Sequence, residues 1–213
     1  LSPDDTGLQL LQNSTATALG LAVLILVFGP VSGAHFNPVI SAVDWLLGRR
    51  AGAGLSGREV LAYAVAQIVG GVAGAVLANI MYDVTVTRLA TKDRAGVHLL
   101  VGEVVATAGL VALVFALART GRAVAAAPAV GAYIGAAYWF TSSTSFANPA
   151  VTVGRMFSDT FAGIDPTFVP GFIAAQIVGA VVAVVLVRYL YPGVAAVADD
   201  VVVPHAEPDT RSP

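Results

Sequence analysis

Two stretches decide the fold: Phe28-Gly-Pro-Val-Ser-Gly-Ala-His-Phe-Asn-Pro38 and Thr141-Ser-Ser-Thr-Ser-Phe-Ala-Asn-Pro149. Each interrupts a run without a single charge, Leu8 to Val43 (36 residues) and Ala123 to Gly154 (32 residues). A helix needs about 20 apolar residues to cross a bilayer. Both runs are too long for one crossing and too short for two with a turn. Each therefore reads as a full span, a non-helical link, and a half-length helix that starts at Asn-Pro. Asn is a strong N-cap, and Pro at the first helical position gives up an amide that would be unpaired anyway. From Pro38 to Leu47 the rise is roughly 15 Å, about half of a ~30 Å hydrocarbon core. Irregular backbone at that depth survives only where it is buried or lines a wet cavity. Two such segments predict a cavity.

Three further stretches fit one span each. Val60 to Tyr82 and Pro166 to Val187 are uncharged, and Ala95 to Ala118 holds only Glu103. The chain has 213 residues, 57% hydrophobic and 11% charged, with mean hydropathy +0.81. Soluble domains carry about 25% charged residues, so the composition is that of an all-α, multi-pass membrane protein. A net charge of −2 argues against a nucleic-acid partner. The absence of cysteine excludes disulfides, thiolate metal sites and a cysteine nucleophile. No motif implies a cofactor, a metal or a hydrolase. Leu1–Asp5 has neither a basic start nor an apolar stretch, so no secretory signal is read there.

The chain repeats itself. Ala66-Gln-Ile-Val-Gly70 returns 109 residues later as Ala175-Gln-Ile-Val-Gly179, and Asn37-Pro returns 111 residues later as Asn148-Pro. The predicted spans are 8–29 and 60–82 in a first repeat (about 1–95), then 97–118, 123–141 and 169–191 in a second (about 96–194). Residues 195–213 read as an acidic, flexible tail. Three spans per half would invert the second half relative to the first. The counterpart of 97–118 is lacking, so a first transmembrane helix is expected to be missing from this chain. A five-span protein is the alternative. The Lys/Arg distribution puts Arg49, Arg50, Arg58, Arg119, Arg122, Arg188 and the distal Arg211 on the cytoplasmic side of a cell (inner) membrane. Arg88, Lys92, Arg94 and Arg155 then lie outside.

Ser32-Gly-Ala-His-Phe-Asn-Pro-Val39 and Phe146-Ala-Asn-Pro-Ala150 resemble the two signature loops of the aquaporin, or major intrinsic protein, family. The resemblance runs from about Leu8 to Tyr191. It implies an inverted-repeat helical bundle with two re-entrant half-helices, assembled in the lipid bilayer as a homotetramer with one pore per subunit. The pore motifs would be Asn37, Pro38 and Val39, with Asn148, Pro149 and Ala150. The half-helix N-termini, each about half a positive charge, would repel cations and protons, and the two Asn amides would donate to a neutral solute. Gly33, Ala34 and His35 would line the pore, with His35 alternatively a pH-sensitive gate or a loop brace. Members of the family usually place Arg directly after the second Asn-Pro-Ala, where this chain has Val151. Carried over by spacing, the selectivity filter becomes Leu19 (or Thr15 or Thr17), Ala136, Ser145 and Val151. Arg155, one turn beyond Val151, either restores a positive filter or satisfies carbonyls at the mouth.

The resemblance makes Glu103 a structural brace, and Gln67 and Gln176 are read as braces or helix–helix donors. The filter reads as wide, suited to small neutral solutes: water, glycerol and metalloid acids such as arsenous acid. It resembles that of bacterial members associated with metalloid transport. A proton-coupled transporter using Glu103 is the alternative.

Overall fold

The computed structural model describes residues 2–86 and 88–192; the predicted tail, 195–213, lies outside them. Seven α-helices follow one another: α1 (Thr6–Ser32), α2 (Pro38–Gly48), α3 (Gly57–Met81), α4 (Val97–Arg119), α5 (Ala126–Phe140), α6 (Pro149–Gly154) and α7 (Val169–Leu190). Short 3-10 turns precede α5 and α7 and extend α6. Five of these segments are long and apolar enough to cross a membrane. The half-length pair, α2 and α6, starts at Asn-Pro as the local chemistry requires. Asn37 Oδ1 accepts from the Val39 amide at 3.0 Å, and Asn148 Oδ1 from the Ala150 amide at 2.9 Å.

The first link begins later than the sequence suggests. The helix expected over 8–29 starts at Thr6, where Asp5 caps it by accepting from the Leu8 amide at 2.9 Å. It continues through Pro30 to Ser32. Proline removes one amide and disturbs the turn before it, but nothing after it. The stop is Gly33, whose φ of 64° lets its amide bond Gly29 O at 2.8 Å in the left-handed cap that glycine favours. Asp44 of α2 is buried and accepts from the Leu55 amide at 2.7 Å.

The long helices pack in pairs, α1 on α5 and α4 on α7, while α3 holds α6 and α2. A single core joins them: Val111 and Phe115 of α4, Ala183 and Val187 of α7, Val130 and Ile134 of α5, Ile25 of α1, and Ile40 and Leu47 of α2. A smaller cluster gathers Phe146, Ile164, Val169 and Phe172 at one end. Outward faces are equally apolar. Val23 and Leu26 of α1, Leu61 and Val65 of α3, and Val181 and Val185 of α7 are exposed, as expected of surfaces solvated by lipid rather than water.

The two Ala-Gln-Ile-Val-Gly copies sit in unlike surroundings. Gly179 of α7 lies against α4, where an added Cβ would stand 2.6 Å from Val104 O. A Cβ at Gly70 of α3 would meet nothing within 4 Å. Among the described residues, nothing packs on α3 as α4 packs on α7. A second glycine contact seats the half-helix: a Cβ on Gly154 would stand 2.7 Å from Gly71 O. Close backbone approach at small residues is how helices associate in lipid. Gly179→Ala is therefore expected to destabilise the protein by about 1–3 kcal/mol through overpacking, whereas Gly70→Ala is near neutral. Thermal unfolding in detergent separates the two.

Candidate functional site

The two half-helices meet at their N-termini, and the contact is reciprocal. Asn37 Nδ2 donates to Ala147 O at 2.7 Å, and Asn148 Nδ2 donates to Phe36 O at 2.9 Å. Each asparagine thus binds the carbonyl that immediately precedes the other. An amide nitrogen carries two hydrogens, so each side chain keeps one N–H beyond this bond. Both asparagines line a cavity of about 410 Å³. Its walls are apolar over most of their area: Leu21, Leu24 and Ile25 of α1, Leu110 and Val114 of α4, and Val130 and Ile134 of α5.

The links that carry the asparagines are held open by buried polar groups. Thr144, Ser145 and Ala147 have φ of 61°, 50° and 48°, and Ala34 has 53°. Each non-glycine residue in that region costs about 1–3 kcal/mol and persists only when its surroundings fix it. Glu103 does so for the second link. It is fully buried in α4 and accepts from the Phe146 amide at 2.8 Å and the Ala147 amide at 2.9 Å. Gln176 Nε2 donates to Glu103 Oε2 at 2.6 Å and to Thr152 Oγ1 at 2.8 Å. Gln67 holds the first link, its Nε2 donating to His35 O and, at 3.2 Å, to Ser41 Oγ.

Several sequence-derived positions sit elsewhere than expected. Leu19 is 66% exposed on the outer face of α1, and Ala136 is exposed on α5; neither lines the cavity. The cavity-facing phase runs through Thr17 on α1 and through Val130, Ile134 and Tyr138 on α5. On helices that are apolar all round, spacing carried from a motif fixes the depth of a residue poorly and its face hardly at all. Ala34 lines the cavity, but Gly33 and His35 do not. Gly33 ends α1. His35 is buried, with Nδ1 3.3 Å from Ser41 Oγ and its ring against Tyr63. Ser145, Val151 and Arg155 do line the cavity. Pro38 and Pro149 open their helices, and Val39 and Ala150 are buried beside them.

Arg155 follows α6 directly. Its Nη2 donates to Tyr138 Oη at 2.5 Å, and its guanidinium lies 4.1 Å from the Phe146 ring centroid. Arg94, from the connection between α3 and α4, approaches the same ring at 4.6 Å. Its nitrogens donate to Gly163 O at 2.8 Å, Ser143 O at 3.1 Å and Phe161 O at 3.3 Å. Burial, with the Arg155 charge second, pushes the Arg94 guanidinium down to about 10, so it remains a cation at neutral pH. The same connection is pinned by Asp159, which accepts from the Thr91 amide at 2.8 Å and meets Arg88 at 3.3 Å. Tyr138 and Arg94 are the residues that sequence reasoning missed. Because α5 is apolar on all sides, nothing in its sequence marked Tyr138 as facing inward.

The profile of one family, Major intrinsic protein, matches residues 2–147 and 126–210. This chain belongs to the major intrinsic protein family. It is 47% identical over 187 residues to the aquaglyceroporin AqpS of Rhizobium meliloti, an alignment covering 87% of this chain and 77% of that protein. It is 32% identical over 187 residues to the probable aquaporin AqpM of Archaeoglobus fulgidus, covering 82% and 74%. A shorter match, 41% over 64 residues, joins it to the propanediol uptake facilitator PduF of Citrobacter freundii, covering 30% and 22%. As a family member with five apolar membrane-length helices, it is a multi-pass channel protein and not an enzyme. The link held by Glu103 is a direct target for mutation. Glu103→Gln puts an amide where two backbone amides need an acceptor. It is expected to cost about 1–3 kcal/mol and lower Tm in detergent, while Glu103→Asp, which keeps the charge, loses less.

Proposed function

We propose that this chain is a passive channel for small uncharged solutes, with glycerol and water foremost and neutral metalloid acids such as arsenous acid in the same class. The observation that carries the reading is the reciprocal Asn37–Asn148 contact at the edge of the cavity. It brings two half-helix N-termini together, each carrying about half a positive charge. A cation, or a proton relayed through water, meets a barrier there. A neutral solute meets two free amide N–H groups on one side and an apolar wall on the other. The carbonyls of His35 and Ala147 are already engaged, although a carbonyl can accept twice.

In this reading the filter is Thr17, Tyr138, Ser145, Val151 and Arg155. Val151 leaves room where a cation would narrow the passage, which suits solutes larger than water. The names aquaglyceroporin and propanediol uptake facilitator among the relatives support the same size class. The proton-coupled alternative rests on Glu103, whose oxygens hold the second link and which does not line the cavity. A homotetramer in the inner membrane belongs to the proposal, and the exposed apolar faces of α1, α3 and α7 are surfaces that other copies or lipid would cover.

Stopped-flow light scattering on proteoliposomes tests it. A glycerol gradient should give shrinkage followed by re-swelling faster than in empty vesicles. Val151→Arg should cut glycerol permeability relative to water by about tenfold, or about 1.4 kcal/mol of barrier. Glycerol flux unchanged relative to water in Val151→Arg would remove Val151 from the constriction.

A further inference from the structure

The mouth of the cavity holds more positive charge than its surroundings balance. Arg94 and Arg155 both stack on Phe146, and neither forms a salt bridge among the described residues. The buried carboxylate nearby, Glu103, spends its oxygens on the Phe146 and Ala147 amides and on Gln176. Arg94 places its nitrogens on loop carbonyls. Arg155 does not. Its Nη1 is buried without a hydrogen-bond partner, and so is Oγ of Ser145, a residue only 2% exposed. Both residues line the cavity. A desolvated donor without an acceptor is costly, and here the acceptor can only come from the cavity's occupant.

A hydrogen-bonded chain fixes where that donor points. Arg155 Nη2 reaches Tyr138 Oη at 2.5 Å, and Tyr138 Oη lies 3.0 Å from Thr17 Oγ1. Three elements, the end of α6, α5 and α1, are thereby tied across the mouth. With Nη2 bound to Tyr138 and the ring of Phe146 against its plane, the guanidinium leaves Nη1 for a solute. A hydroxyl oxygen would satisfy the donor. An oxyanion would satisfy the donor and the charge together, and charge-assisted bonds are roughly twice as strong as neutral ones.

We propose that Arg155 and Ser145 form a binding site for a small monovalent oxyanion at the cavity mouth, with Tyr138 and Thr17 as its positioning residues. The occupant lodges there and slows the passage of neutral solutes. Beyond the mouth the wall is Ile25, Leu110, Val114, Val130 and Ile134, and the two N–H groups of Asn37 and Asn148 are too few donors to replace the water of an anion, so it goes no deeper. The flux readout rests on the channel reading above, and the binding readout does not.

The probe is methanesulfonate, which stays ionised and does not cross lipid as a neutral acid. The control is gluconate at equal ionic strength, a much bulkier monoanion. In proteoliposomes, methanesulfonate should slow glycerol re-swelling several-fold and gluconate should not. Arg155→Gln should abolish that inhibition. Tyr138→Phe and Thr17→Val should shift it to higher concentration, and Thr17→Ser should keep it. Independently, methanesulfonate should raise the Tm of the wild-type protein in detergent and leave that of Arg155→Gln unmoved. Equal inhibition by the two anions, or inhibition that survives in Arg155→Gln, overturns the site. If glycerol flux never exceeds that of empty vesicles, the channel reading fails, and the Tm shift still decides: a shift lost in Arg155→Gln keeps the site, and an equal shift removes it.

Discussion

Everything else in this structure depends on two asparagines reaching across to each other's backbone. Asn37 and Asn148 each do three things at once. Each caps the helix it begins, each binds the carbonyl preceding the other, and each leaves one N–H for the cavity. The first two duties use up the side-chain geometry, so neither amide can rotate freely. A fixed donor aimed at a solute requires no reorganisation when the solute arrives, and preorganisation of this kind is what makes a weak, passing interaction selective.

Such a junction needs a frame, because two loop tips in the middle of a membrane have no water to fall back on. The frame is polar, fully enclosed at Glu103 and Gln176 and half-buried at Gln67. On one side Glu103 receives two link amides and a glutamine; on the other Gln67 binds the first link through its carbonyl. A buried carboxylate is costly in isolation, and its full set of bonds here makes it a strut. The half-helices are then pressed home by backbone contact, α6 onto α3 at Gly154 and Gly71. Stability and transport are coupled through this frame: what holds the link also sets the direction of the donors.

How far the sequence could be read follows from which features are local. The Asn-Pro starts of α2 and α6 are local chemistry, a cap followed by a proline, and they stand where the sequence puts them. Charge-free runs located the spans because charge is costly in lipid at every position. The end of α1 was misplaced at Gly29-Pro30 because proline is compatible with the final turn of a helix, and Gly33 was needed to end it. The filter was harder. Leu19 and Ala136 were placed by spacing on helices whose inner and outer faces are both apolar; the structure turns inward Thr17, which the sequence offered only as an alternative to Leu19, and Tyr138, which it did not offer. No periodicity in α1 or α5 could have fixed that phase. Arg94 was legible only as a charge on one side, since its role depends on carbonyls from loops 49 to 69 residues away.

The central claim is that neutral solutes pass a positively polarised junction that protons do not. Its most direct measurement is proton leak under an imposed potential. Proteoliposomes that conduct glycerol are loaded with a pH-sensitive dye, and a potassium gradient with valinomycin supplies the potential. The account predicts fast glycerol flux with an internal pH that drifts no faster than in empty vesicles. An internal pH that collapses in proportion to the amount of protein would contradict it.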